Sequence, residues 1–460
     1  MNNQVLYEPY KLPKQTIPEK AREIDLLVFS AGITSRLKYI TALILGDLLG
    51  LKYRITSDTD EFINSAAAKL CYNNRPVATK ECLIVPSGLM NERGINPHSV
   101  NVMDFENTKA LFPVYVRGSS MPFDIFSASF FMVSRYEEYL PFIRDEHQRF
   151  RASSSLALQK GFLQMPVVNI WARALGKVLL QLYPALPVKE HTYTFVPTID
   201  IDAAWAFRHK GFYRSLGGFF KDLKVLDADA LKRRYRSLLR LEPDPFDSFS
   251  LMHELHRKYN LRPIFFILYA GYDEFDKNTP VNNMPFRQLI KSLSDEADIG
   301  IHPSYASNTT EGLLEMEINE LQEVLHREVT ASRQHFLKLH FPETYRNLIA
   351  NDITDDYTMG FAQQTGFRAG ICTSFHWYDL EMERPTNLTI HPFMLMDGTL
   401  RDYLKVEAEG AMQYITPLIE NVKSVGGTFI SLFHNESLSE WRRWKGWTTV
   451  YEEMLKEASK

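Results

Sequence analysis

From about residue 190 onward, short runs of apolar and β-branched residues alternate with stretches whose apolar positions recur every three or four residues. The short runs, at 193–199, 264–269, 299–302, 367–372 and 428–433, predict strands. The clearest stretch between them covers 311–328, where Leu314, Ile318, Leu321 and Leu325 fall on one face of a helix. A second helical stretch, 406–423, stops at Gly426-Gly427, a pair suited to end a helix in the left-handed region. Strands that alternate with helices predict parallel strands joined by right-handed crossovers, and so an α/β fold.

The first part of the chain is less regular. Leu26-Leu-Val-Phe29 predicts a buried strand, and residues 36–49 a mostly apolar helix after the turn at Gly32. Strand-like and helix-like pieces alternate to about 115, and 168–182 predicts another helix. Tyr183-Pro-Ala-Leu-Pro187 places two prolines in five residues, which interrupts either element. The expected organisation is an N-terminal α/β domain over 1–187 and a second domain over 188–460.

Composition narrows the function classes. The chain has 460 residues, 45% hydrophobic and 23% charged, with a net charge of −4, which gives no electrostatic case for nucleic-acid binding. The three cysteines, Cys71, Cys82 and Cys372, match no metal-binding spacing and read as buried thiols. No apolar run is long enough to span a bilayer; the best, 40–51, is interrupted by Asp47. The N-terminus lacks the basic and apolar regions of a secretory signal, so the expectation is a soluble, cytoplasmic protein, possible as a homo-oligomer.

The candidate chemistry begins where the first strand of the second part ends, at Tyr193-Thr-Phe-Val-Pro-Thr-Ile-Asp200-Ile-Asp202. Side chains two apart on a strand share a face, so both acids look into one space. Two facing carboxylates repel, and burial makes this worse, so a cation, an arginine or a shared proton must offset them. Three more segments lie at or near predicted strand ends: Gly300-Ile-His302-Pro-Ser304, Ser332-Arg333-Gln-His335-Phe336 and Leu432-Phe-His434-Asn435. Aspartate and histidine ligands suit zinc or a similar divalent ion, which lowers the pKa of bound water and polarises a carbonyl. A free carboxylate beside it can act as base, and a histidine across the pocket as acid.

In this order, the segments resemble the polysaccharide deacetylase superfamily, whose members carry the NodB homology domain. The resemblance covers roughly residues 190–455. Thr198-Ile199-Asp200-Ile201-Asp202 is similar to the family's Thr-Phe-Asp-Asp, with a spacer between the acids, and implies Asp200 as general base and Asp202 as metal ligand. Residues 262–268 resemble the family's second strand. His302-Pro-Ser-Tyr-Ala306 matches its His-Ser/Thr-x-x-His in part: His302 carries over as a ligand, whereas Ala306 stands where the second histidine would be. Arg333-Gln-His-Phe336 resembles Arg-x-Pro-Phe/Tyr and implies Arg333 as the residue orienting the base. Leu432-Phe-His434 resembles Leu-x-His and implies His434 as general acid. His335 is the candidate third ligand, and His340 a weaker one. The resemblance implies a distorted (β/α) barrel and a metal-dependent hydrolase that deacetylates an N-acylated sugar or glycan precursor.

Tyr305, Trp205 and Trp447 are the candidate sugar contacts. Trp441, Trp444 and Trp447, with Arg442, Arg443 and Lys445 between them, suit helix packing or a lid, or alternatively stacking on a sugar. Two other functions stay open. Ala306 allows a carbohydrate-binding pseudoenzyme with an incomplete metal site. Asp200-Ile-Asp202 is formally a DxD element of a glycosyltransferase.

Overall fold

A computed structural model describes residues 24–211, 216–217 and 228–460. The first part forms a four-stranded parallel sheet in the order β2-β1-β3-β4, from Leu26–Phe29 (β1), Tyr53–Thr56 (β2), Ala68–Tyr72 (β3) and Cys82–Ile84 (β4). A hairpin follows, Val102–Phe105 (β5) and Thr108–Leu111 (β6). The helix expected over 36–49 runs as an ordinary α-helix over Ser35–Thr41 and then widens over Ala42–Leu48. There the Leu49 N–H reaches back to the Ile44 carbonyl, five residues away.

The second part is built on a nine-stranded sheet. Its strands are Thr194–Ile201 (β7), Ile264–Leu268 (β8), Asp298–His302 (β9), Ala331–Ser332 (β10), Asp355–Asp356 (β11), Phe375–Asp379 (β12), Arg384–Ile390 (β13), Leu395–Met396 (β14) and Thr428–His434 (β15). Their order is β12-β13-β11-β10-β9-β8-β7-β15-β14, all neighbours parallel except β12 with β13. The barrel expected from the family resemblance is not closed by hydrogen bonds: among the described residues, β12 and β14 are edges with no pairing between them.

Four of the five strand expectations in this part match β7, β8, β9 and β15. The fifth, 367–372, is a turn. Its backbone bonds to the first part instead of to a strand: the Phe367 N–H donates to the Leu163 carbonyl, and the Gly370 carbonyl accepts from Val168. The place in the sheet belongs to β13. The helices expected over 311–328 and 406–423 span Leu313–Leu325 and Ala408–Val425, the second capped by Gly426 at φ 65°. Among the described residues, no helix is long and apolar enough to cross a membrane.

One apolar core runs through both parts. Its polar counterpart is a buried cluster in which Glu138, from the first part, accepts from Arg135 at 2.7 Å and from Arg368 at 2.9 and 2.6 Å. Burial opposes the charge on Glu138, but the two guanidinium groups hold its carboxyl below the usual range. Removing one partner from such a cluster leaves the others charged and unpaired in the interior. Glu138→Gln should therefore cost about 3 to 5 kcal/mol in urea unfolding. A loss under about 1 kcal/mol would mean that the cluster does not join the two parts.

Candidate active site

The register of the sheet brings the chemical side chains to one rim. Asp200 on β7 lies opposite Phe266 on β8 and His434 on β15, and Leu268 lies opposite His302 on β9. Alternation along the strands then puts Asp200, Asp202, His302 and His434 on one face, at the C-terminal ends of their strands. The layer beneath is apolar and includes Ile264, Phe266, Ile430 and Leu432. Gly300 is required there, because a Cβ would lie 2.5 Å from the Phe266 ring and 2.9 Å from the Ala331 carbonyl oxygen.

Arg333, directly after β10, is fully buried and donates from Nη1 to Asp200 Oδ1 at 2.8 Å. Its Nε donates to the Tyr357 carbonyl at 3.0 Å, and its guanidinium sits 4.5 Å from the Phe266 ring centroid. The arginine is thus held in place and neutralises one of the two acids.

The other acid, Asp202, faces three imidazoles. His302 Nε2 is 3.4 Å from its Oδ1, and the Nε2 atoms of His335 and His434 are each 3.9 Å from its Oδ2. The second nitrogen of each ring is already engaged. His302 Nδ1 donates to the Arg333 carbonyl at 2.5 Å, His335 Nδ1 to Asp276 at 2.8 Å and His434 Nδ1 to Asp397 at 2.8 Å. These partners assign the proton of a neutral ring to Nδ1, so each Nε2 faces a carboxylate with a lone pair when its ring is neutral and with a proton when its ring is charged. Asp202 Oδ1 is buried and makes no hydrogen bond. Lone pairs that converge in this way require protons or a cation between them.

The electrostatics agree. Burial opposes the charge on Asp202, but the His302 contact and the fields of His335 and His434 outweigh it and hold the carboxyl well below its ordinary range. Burial also disfavours charging His302 and His434. Asp200 and Asp202 nevertheless raise the first, and Asp397 raises the second well above its usual value.

Asp202, His302 and His335 can each present one ligand atom, all within 4.8 Å of one another. Asp200, Arg333 and His434 adjoin this group. His340 does not: its Nε2 binds the Gln148 carbonyl at 2.7 Å. The group opens into a cavity of about 250 Å³, walled by Phe336, Tyr403 and Trp444 and flanked by Arg149 and Arg443.

The three expected sugar contacts do not line this cavity. Trp205 is buried against His209 and Phe286, Trp447 is buried edge-on to Trp444, and Tyr305 stacks on Phe275 at 4.3 Å. Core packing takes the first two rings, and Trp444, three residues before Trp447, is also buried but lines the cavity. Two supporting residues have no counterpart among the expectations. Asp397 directly follows β14, so the strand-end rule that found the other residues applies to it as well. Asp276 lies in an irregular loop after β8 and carries no local signal.

Residues 26–184 match a family of unknown function, DUF7033. No curated protein matches the chain. Solved structures assigned as polysaccharide deacetylases are similar to it at low identity. One from Mycobacterium smegmatis has a TM-score of 0.38 and 13% identity, covering 59% of this chain and 85% of that one. One from Pseudomonas aeruginosa PAO1 has a TM-score of 0.37 and 11% identity, covering 57% and 84%. A CE4-family pseudoenzyme from Bacillus anthracis has a TM-score of 0.27 and 12% identity, covering 58% and 62%.

Glu317 supports the turn after His302. Its Oε2 accepts from the Ser304 N–H at 2.9 Å, while its Oε1 is buried without a partner. Burial pushes this carboxyl up to about 7 from its ordinary 4.5. The folded state therefore binds the proton more tightly than the unfolded state, and stability falls as pH rises between those values. Glu317→Gln should remove that slope, gaining on the parent protein by up to about 3 kcal/mol between pH 4.5 and 7 in urea unfolding. Parallel stability profiles would show that Glu317 is ionised throughout.

Proposed function

We propose that this chain is a metal-dependent hydrolase that cleaves an amide, removing an acyl group from an N-acylated sugar. The carrying observation is the convergence of Asp202, His302 and His335, with an arginine-held carboxylate on one side and an aspartate-held imidazole on the other.

The residues fit a divalent cation. One carboxylate and two imidazoles are the donor set of many catalytic zinc sites, and each imidazole is oriented by a hydrogen bond from its far nitrogen. The partnerless Asp202 Oδ1 supplies the unsatisfied charge that a cation would answer. On this reading, His335 provides the third ligand that Ala306 does not. A bound cation would supply Lewis acidity, polarising the acyl carbonyl and acidifying water.

The remaining work belongs to the protein. Arg333 fixes Asp200 Oδ1 through its hydrogen bond, which leaves Oδ2 to take a proton from the attacking water. His434, kept protonated by Asp397, delivers a proton from Nε2 to the departing amine. Asp397 also accepts from the His434 backbone N–H at 2.7 Å, so ring and main chain are fixed by one carboxylate. Trp444 and Tyr403 offer flat and hydroxyl-bearing walls to a sugar. In this scheme residues 188–460 carry the reaction, and 1–187 contribute Arg149 to the wall.

Purified protein should bind about one divalent ion per chain by elemental analysis, and His335→Ala should weaken that binding at least about 100-fold. Asp200→Ala should retain the metal but release acetate from N-acetylglucosamine oligomers about 100-fold to 10,000-fold more slowly. Undiminished turnover in Asp200→Ala would refute the base assignment. Metal bound without turnover of any N-acylated sugar would leave a binding protein.

A further inference from the structure

The large insertion between β7 and β8 carries a surface that the proposed chemistry does not use. The described residues of 208–241 contain seven Lys and Arg against one Asp, in a chain whose net charge is −4. Within this stretch, the helix Ala228–Leu238 presents its faces in reverse of the ordinary order. Small side chains, Ala230 and Ser237, point inward and are buried. Large apolar ones point out: Tyr235 is 64% and Leu238 45% exposed, and just past the helix Leu239 is 52% and Leu241 63% exposed. Lys232 lies one turn before Tyr235 on the same exposed face, and Arg240 sits between Leu239 and Leu241.

The helix is fastened to the rim of the site. Asp244 accepts from the backbone N–H groups of Ala206, Phe207 and Arg208 at 2.6, 2.9 and 3.0 Å, just after β7. Arg208 donates to the carbonyls of Ser237 and Glu242 at 2.9 and 2.7 Å. Phe207 packs on Trp441 at 5.3 Å, three residues before the cavity-lining Trp444.

Apolar side chains that the fold could have buried but leaves in water mark a contact surface. Arg233 and Arg236 are paired with Asp229 and Glu242, so Lys232 and Arg240 are the cations that select for negative charge on the other side. Leucines would gain nothing on a nucleic-acid backbone, whereas the acyl-headgroup boundary of a bilayer takes both kinds of side chain at once. We infer that this helix seats the protein on an anionic lipid surface. The inference stands whether or not the hydrolase reading holds, because it concerns only the rim.

The full chain should sediment with phosphatidylcholine vesicles that contain phosphatidylglycerol, weakly with phosphatidylcholine alone, and much less at about 0.5 M salt. Lys232→Glu with Arg240→Glu should weaken binding about 100-fold, and Leu239→Ser with Leu241→Ser at least tenfold, both with the parent circular dichroism and melting point. Failure to bind either vesicle, or binding that neither variant pair alters, overturns the inference. So does a concentration-dependent dimer abolished by the serine pair, which assigns the patch to a second copy. A preference for single-stranded RNA over the anionic vesicles overturns it in favour of nucleic acid.

Discussion

Two carboxylates on one face of a strand set the terms for everything around them. Asp200 is answered from within by Arg333, which is buried, braced by the Tyr357 carbonyl and seated on the Phe266 ring. Asp202 has no such partner and instead meets the open nitrogens of three imidazoles. The difference divides one repulsive pair into two jobs. An acid whose charge is settled by the protein can exchange protons, and an acid whose charge is unsettled can hold a cation. The apolar layer below enforces the division, since water cannot reach Arg333 from beneath and Gly300 leaves room for the ring that supports it.

Each imidazole reaches the cavity from a different element and through a different brace. His302 is tied to a backbone carbonyl, His335 to Asp276 and His434 to Asp397. Burial opposes the charge on His434, but the field of Asp397 and its hydrogen bond to Nδ1 raise the ring's proton affinity well above its usual value. Positions and protonation are therefore fixed together, through contacts one step removed from the reacting space.

Much of this was legible in the sequence, for physical reasons. β7, β8, β9 and β15 are mostly buried, so they read as short runs rich in apolar and β-branched residues. β10, β11 and β14 are two residues long and leave no period to detect. Residues 367–372 look like a strand but satisfy their backbone groups against Leu163 and Val168, a competition that no local pattern reveals. Asp200, Asp202, His302 and His434 follow from strand ends. The companions of His335 and the identity of the cavity's aromatic wall depend on loops, where spacing does not predict which ring turns inward. Trp447 and Trp444 differ by three positions and are both buried, yet only Trp444 lines the cavity.

Arg149 carries a consequence for how this molecule could have been assembled. It comes from the first part, is held by Asp145 at 2.7 Å, and donates to the Phe336 carbonyl at 2.7 Å and to the Tyr403 hydroxyl at 3.2 Å. Phe336 adopts a left-handed backbone, φ 57°, immediately after His335. Non-glycine residues hold that conformation only when their surroundings insist on it. A recombination event that paired the second part with some other first part would release that peptide and loosen the histidine beside it. The two halves are bound to evolve in step, as one inheritance and not as interchangeable modules.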